Sequence, residues 1–306
     1  MTNAIDPGAL RRRVESVDDE APRPEKPNCE NERYEEYDFD HCGAERIARP
    51  VLFARQPADI DEVAPLDVLQ SDLGDCYLLA PLIAMANVPE GRATIKAAIV
   101  ERKSETGEPI YTVNLHRRDP SSPDKFIPVR VTVSAVYAHG RAAPRQAGSL
   151  REVWPTVIEK AYAQYLGGYN HMARGGNVPF AMETLTGKPA EVVAIEPPPG
   201  RLRSMVPTAP NDVGMTRPSP GYAAHRLRSD LAAQKLVVLA SRSALVEPNE
   251  RGITGFHAYA VVGMQDDGDG LVVKLRDPLD GLGKNVSVPY GELSKWFKAV
   301  TVGSAP

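Results

Sequence analysis

The chain has 306 residues, 25% of them charged and 42% hydrophobic, with a formal net charge of −4. That is long enough to bury a sizeable core, and so mild a charge argues against the phosphate-neutralising surface of a nucleic-acid binder. No apolar run reaches the roughly 20 residues of a membrane-spanning helix, and Arg11-Arg12-Arg13 lacks the apolar stretch that would make it a secretory signal.

In chain order, residues 1–45 are rich in Pro, Glu and Asp and read as a polar tail, either a pro-segment or a delivery segment. Residues 76–86 are apolar on all sides and predict a buried helix, with Pro81 expected to kink it. Residues 110–115 and 126–133 predict a hairpin closed through Pro120 and Pro123. Residues 153–166 form an amphipathic pattern, with Trp154, Val157, Ile158, Ala161 and Tyr165 on one side and a stop at Gly167-Gly168. Residues 197–221 are dense in Pro and Gly and predict a loop. Short β-branched runs at 235–240, 258–264 and 271–275 predict antiparallel sheet, and residues 288–297 a turn into a final helix. The fold class is therefore α+β.

The chemistry concentrates at Gln70-Ser71-Asp72-Leu73-Gly74-Asp75-Cys76. A turn-forming segment delivers a cysteine to a helix start, where unpaired N–H groups and the helix dipole favour thiolate over thiol. Gln70 is close enough to supply an oxyanion donor. His257 opens an apolar strand, and a hairpin through residues 266–270 would return Asp277 to its side, where a carboxylate can fix the imidazole. Cys76, His257 and Asp277 thus read as nucleophile, base and orienter.

The other candidates have plainer readings. Cys29 and Cys42 are taken as incidental thiols, since His41-Cys42 has no second ligand pair at zinc-like spacing. The acidic run 266–270 lacks the closing glutamate of a calcium loop and reads as a turn. No metal ligand set is assigned. With three cysteines a disulfide framework is not expected, and a reducing compartment is. The expected location is cytoplasmic, or outside the cell by a route that reads no signal peptide.

At these residues the chain resembles the protease core of the calpain family, papain-fold cysteine endopeptidases. The resemblance is carried by Gln70 to Leu79, by Glu159-Lys160-Ala161-Tyr162-Ala163 with Gly175-Gly176 after it, by His257-Ala258-Tyr259 and by Arg276-Asp277-Pro278. It implies two lobes, a helical one over 46–176 and a β-rich one over 177–306, with a polypeptide substrate extended between them. It also implies that Gly175 and Gly176 line the cleft and expose backbone to the peptide. Asp277 stands in place of the family's asparagine, Leu279 in place of a shielding tryptophan, and Tyr77 follows the cysteine where a tryptophan is usual. Calcium is possible by resemblance, although no ligand can be mapped, and no other cofactor is implied. The abundance of Ala, Arg, Gly and Pro suits a bacterial genome of high GC content, and a bacterial effector or toxin is the expected setting. An acyltransferase of transglutaminase type and a catalytically weak papain-fold binding module are the alternatives from other classes.

Overall fold

A stretch that is apolar on every side can be satisfied only at a centre, and Cys76–Asn87 (α1) takes that place. The computed structural model describes residues 37–57, 59–195, 224–243, 245, 249–268, 270–279 and 285–305. The loop expected over 197–221 and most of the tail lie outside them. Helix α1 runs unbroken through Pro81, whose missing N–H leaves the Tyr77 carbonyl without its helical donor. It is followed by Pro89–Ala98 (α2) and by an antiparallel sheet of Ile99–Lys103 (β1), Pro109–Asp119 (β2) and Ser122–Ser134 (β3). Strands β2 and β3 are the expected hairpin, so the first lobe is helical around an inserted sheet.

A small hairpin, Arg145–Ala147 (β4) and Leu150–Glu152 (β5), leads into Trp154–Leu166 (α3). Gly167 closes α3 with φ 97°, a left-handed conformation that glycine adopts without Cβ strain. Tyr169–Met172 (α4) and Val178–Thr186 (α5) complete the helical part. The Asn177 side chain caps α5 by accepting from the Phe180 N–H. Ala181, Met182 and Leu185 of α5 pack in the α1 core.

The second lobe comprises Glu191–Ala194 (β6), Ala224–Ala232 (α6), Leu236–Ser241 (β7), Ala258–Asp266 (β8), Leu271–Arg276 (β9), Asn285–Pro289 (β10), the single turn Leu293–Trp296 (α7) and Phe297–Gly303 (β11). Its strands form one antiparallel sheet in the order β10-β9-β8-β7-β11-β6. Strand β11 was not expected; the final segment makes only one helical turn before Phe297 starts a strand beside β7.

Side-chain alternation explains why β7 and β8 read as continuous apolar runs. Leu236, Val238, Ala258 and Ala260 face the α1 core, while Val237, Leu239, Tyr259 and Val261 face a second core with Val273, Phe297 and Val300. Both faces of the sheet are covered, and one of them seats directly on α1.

Part of the expected tail is also packed. Phe39 and Cys42 are buried, and Asp40 accepts from the Tyr169 N–H at the start of α4. Cys42 is disulfide-bonded, not an incidental thiol, so cysteine usage no longer argues for a reducing compartment.

Candidate active site

Cys76 is the first residue of α1, with Asp75 as its N-cap. The Leu78 and Leu79 N–H groups donate to the Asp75 carbonyl at 2.8 and 3.1 Å, so the helix starts abruptly. The Cys76 N–H is one of those that a helix start leaves without an intrahelical acceptor. The thiol is free and half-buried.

His257 immediately precedes β8, and Asp277 immediately follows the neighbouring β9. Antiparallel pairing of Ala260 with Arg276 brings the two to the same end of the sheet, and His257 Nε2 lies 2.6 Å from Asp277 Oδ1. The imidazole also hydrogen-bonds Cys76 across the lobe junction. With Nε2 engaged by Asp277, Nδ1 is the nitrogen left for the thiol. Burial alone would push the imidazole pKa down. Hydrogen bonds to Asp277 and Cys76, with the charges of both, outweigh it and raise the value to about 9. The structure thus brings together the three residues read from sequence as nucleophile, base and orienter.

Two holders of this arrangement were not foreseen. The Ser241 hydroxyl donates to the His257 carbonyl at 3.1 Å and accepts from the His257 N–H at 2.8 Å, clamping the backbone of the base. A serine ending an apolar strand carries no sequence signal for that role. The second is the Leu279 N–H, which donates to Asp277 Oδ1 at 2.8 Å and holds the orienter in place. The Leu279 side chain is 44% exposed, so it does not roof the pair.

Gln70 sits beside the triad, but its side chain is not idle. Its Nε2 donates to the Leu73 carbonyl at 2.6 Å, which fixes the amide and leaves one N–H on the same nitrogen. Its backbone N–H donates to the Pro278 carbonyl at 2.8 Å, and Arg276 Nε donates to the Pro65 carbonyl at 3.1 Å. Asn87 Nδ2, at the far end of α1, donates to the Val262 carbonyl at 3.2 Å. These three bonds join the lobes along the line on which Cys76 and His257 meet.

Gly175 and Gly176 are exposed. Gly175 has φ 81° and open space around it, whereas a Cβ on Gly176 would lie 2.4 Å from the Tyr77 ring. Gly176 therefore packs on the residue next to the nucleophile, and a side chain there would displace Tyr77. Tyr77 in turn donates to the Met172 carbonyl and meets Tyr162 edge-on.

Asp75 and Glu159 are fully buried directly behind Cys76 and hydrogen-bond each other. Two carboxyls can do so only if one carries the proton. Burial raises both, Asp75 to about 7 and Glu159 well above its usual range, the latter also because of the Asp75 charge. Glu159 Oε1 accepts from the Ala142 N–H at 2.8 Å, which leaves its other oxygen to donate to Asp75.

The calcium that the resemblance raises does not fit these residues. Among the described residues no three His, Cys, Asp or Glu side chains are placed to hold a metal ion. Where buried carboxylates converge, at Asp59 and Asp67, the Arg145 guanidinium already stands between them. No catalytic step is derived through a metal.

A cysteine at a helix start, bonded across two lobes to a histidine held by a carboxylate, is the geometry of a thiol acyl-transfer site. The chain belongs to the calpain family: residues 44–286 match the family described as calpain family cysteine protease. It is 30% identical over 159 residues to calpain clp-1 of Caenorhabditis elegans, covering 52% of this chain and 20% of that protein. It is 28% identical over 239 residues to the calpain-type cysteine protease DEK1 of Arabidopsis thaliana, covering 76% of this chain and 9% of that one. Calpain-12 of Mus musculus is 25% identical over 237 residues, covering 75% of this chain and 29% of its own length. The chain thus spans less than a third of each of these relatives.

Proposed function

We propose that the chain is a cysteine endopeptidase that cleaves polypeptides through Cys76, His257 and Asp277. The observation that carries this reading is the imidazole of His257, bonded to Cys76 on one side and to Asp277 on the other within a calpain-family core. With its pKa raised to about 9, the His257 imidazole is protonated at neutral pH and faces the nucleophile as an imidazolium.

The Cys76 thiolate attacks the peptide carbonyl and forms a C–S bond, and the oxyanion is held by the Cys76 N–H and the remaining Gln70 Nε2–H. Imidazolium Nδ1–H protonates the departing amine as the C–N bond breaks. Water, deprotonated by Nδ1, then attacks the thioester and releases the acid and the thiolate. Asp277 holds the ring by Nε2–H throughout, and the Gly175-Gly176 backbone pairs with the extended substrate.

Mass spectrometry of a protein mixture treated with the wild type and with Cys76→Ala tests this. New peptide termini that require Cys76 support it; amine incorporation without new termini would replace it with a transferase, and neither product with a binding module. A role as an exported bacterial effector is the finer part of the proposal. Composition bears only on the bacterial part, since abundant Ala, Arg, Gly and Pro suit a GC-rich genome; release of the protein into the medium by a producing strain tests the export.

A further inference from the structure

The segment that leads into the nucleophile is a strap, described over residues 54–57 and 59–70, whose end must be placed accurately because the Pro65 carbonyl accepts from Arg276 and the Gln70 N–H donates to the Pro278 carbonyl. It has almost no regular structure, only a 3-10 turn at Pro65–Asp67. What holds it is charge. Arg145 Nη1 lies 2.9 and 3.0 Å from the two Asp59 carboxylate oxygens and 2.6 Å from Asp67 Oδ1. Asp67 Oδ2 accepts from the Trp154 indole at 3.1 Å and from the Ala64 N–H at 2.6 Å, and Asp59 Oδ2 from the Gln56 N–H at 3.1 Å. The β4–β5 hairpin sets Glu152 across from Arg145, and Glu152 Oε1 accepts from the Ala54 N–H at 2.9 Å. One side chain thus binds two points of the strap, Asp59 and Asp67, from inside the first lobe.

We propose that Arg145 is a positioning residue for the active site, a built-in cation that holds the strap so that Pro65 and Gln70 meet Arg276 and Pro278 and bring Cys76 into register with His257. Asp59, Asp67 and Glu152 are all buried. Burial and the Asp67 charge raise Glu152 to about 8, so at neutral pH it carries a proton, and Arg145 faces the Asp59 and Asp67 carboxyls. Removing Arg145 would strand two buried carboxylates, and the strap would open to hydrate them. Because the cation is a side chain, the core needs no divalent ion to set this segment.

The inference rests on the Cys76–His257 pairing and holds for a hydrolase or a transferase alike. Its test is the second-order rate at which iodoacetamide alkylates Cys76 at neutral pH, with thermal melting and far-UV circular dichroism on the same samples. Alkylation by the wild type checks the pairing, and the variants check Arg145. Wild type should react equally fast with excess calcium or with a chelator. Arg145→Ala should react at least tenfold more slowly while keeping its helical signal, and Arg145→Lys should recover most of the rate. If Arg145→Ala does not fold, Arg145→Lys and Asp59→Asn carry the test: the first within about threefold of wild type, the second slower. Arg145→Ala reacting at the wild-type rate would overturn the proposal. So would Arg145→Lys failing as badly as Arg145→Ala, or a calcium requirement in the wild type.

Discussion

The backbone N–H of Gln70 donates to the carbonyl of Pro278, the residue that follows Asp277, at 2.8 Å. A donor on the strap before the nucleophile is thereby fixed to the turn that carries the orienter on the other lobe. The bond uses the main chain, so it survives loss of the Gln70 side chain. Gln70→Ala should therefore keep the lobes together and remove only one oxyanion donor. Turnover should fall on the order of a hundredfold with KM little changed, and the melting temperature should move by no more than a few degrees. Steady-state kinetics beside a thermal melt would show it, and a raised KM with full turnover would give Gln70 a binding role instead.

Asp277 governs the alkaline side. Its hydrogen bond and charge, together with those of Cys76, hold the imidazolium against burial up to about pH 9. Asp277→Asn keeps an acceptor for Nε2–H without the charge, so kcat/KM should stay within about tenfold at neutral pH while its alkaline limb moves to lower pH. Asp277→Ala should lose on the order of a hundredfold or more, because nothing orients the ring. The folded pKa lies above the unfolded value near 6.5, so the charged histidine contributes stability that is full below about 6.5 and lost as pH rises through about 9. Melting temperatures across that range should fall for the wild type and flatten for Asp277→Ala. Equal activity of both variants would remove Asp277 from the site.

The parts of the site that were legible in sequence are those that chemistry restricts to few residue types. Cys76 before an apolar run, His257 at a strand start and Asp277 one hairpin later needed only spacing and residue identity. The helix read over 76–86 and the hairpin read from 110–115 and 126–133 were equally plain, because a run apolar on all sides and two strand-like runs joined by a proline-bearing turn each point to one solution. Ser241, Glu159 and Arg145 were not legible. Their roles depend on which backbone carbonyl or carboxylate the tertiary fold brings to them, and serine, glutamate and arginine in those patterns are otherwise ordinary. Strand β11 escaped for a related reason. Phe297 to Gly303 alternates weakly, and only its place between β7 and β6 makes it a strand.

The Asp75–Glu159 pair sets a second pH dependence behind the nucleophile. Because Glu159 accepts from Ala142 with one oxygen and gives its proton to Asp75 with the other, a glutamine can copy both bonds. Glu159→Gln should stay folded and keep activity within a few-fold. Glu159→Ala leaves Asp75 buried without a donor and should cost about 3 kcal/mol or more. The Asp75 pKa is raised by burial from 3.8 to about 7, so the folded chain holds a proton the unfolded chain has lost. That linkage is stabilising at low pH and fades as pH climbs from about 4 to about 7. Denaturant titrations of the three proteins at pH 5 and pH 8 would decide it. Glu159→Gln as damaged as Glu159→Ala would mean that the proton is not shared as described.

Phe256 offers the clearest separation of stability from function. It precedes the base, is 75% exposed, and has φ 51°, a left-handed conformation in which a β-carbon is strained. Its ring gains only a distant contact with Lys298 Nζ, 5.7 Å from the centroid. The Phe256 N–H donates to the Arg242 carbonyl at 3.3 Å, a bond a glycine would keep, and an exposed aromatic ring beside His257 is placed to meet a substrate side chain. Phe256→Gly should therefore stabilise the protein by about 1 kcal/mol, or a few degrees in melting temperature. It should also raise KM for peptide substrates several-fold while leaving kcat and the rate of Cys76 alkylation unchanged. A glycine variant that melts lower than the wild type would show that the ring is structural, and one with unchanged KM would show that no substrate reaches it.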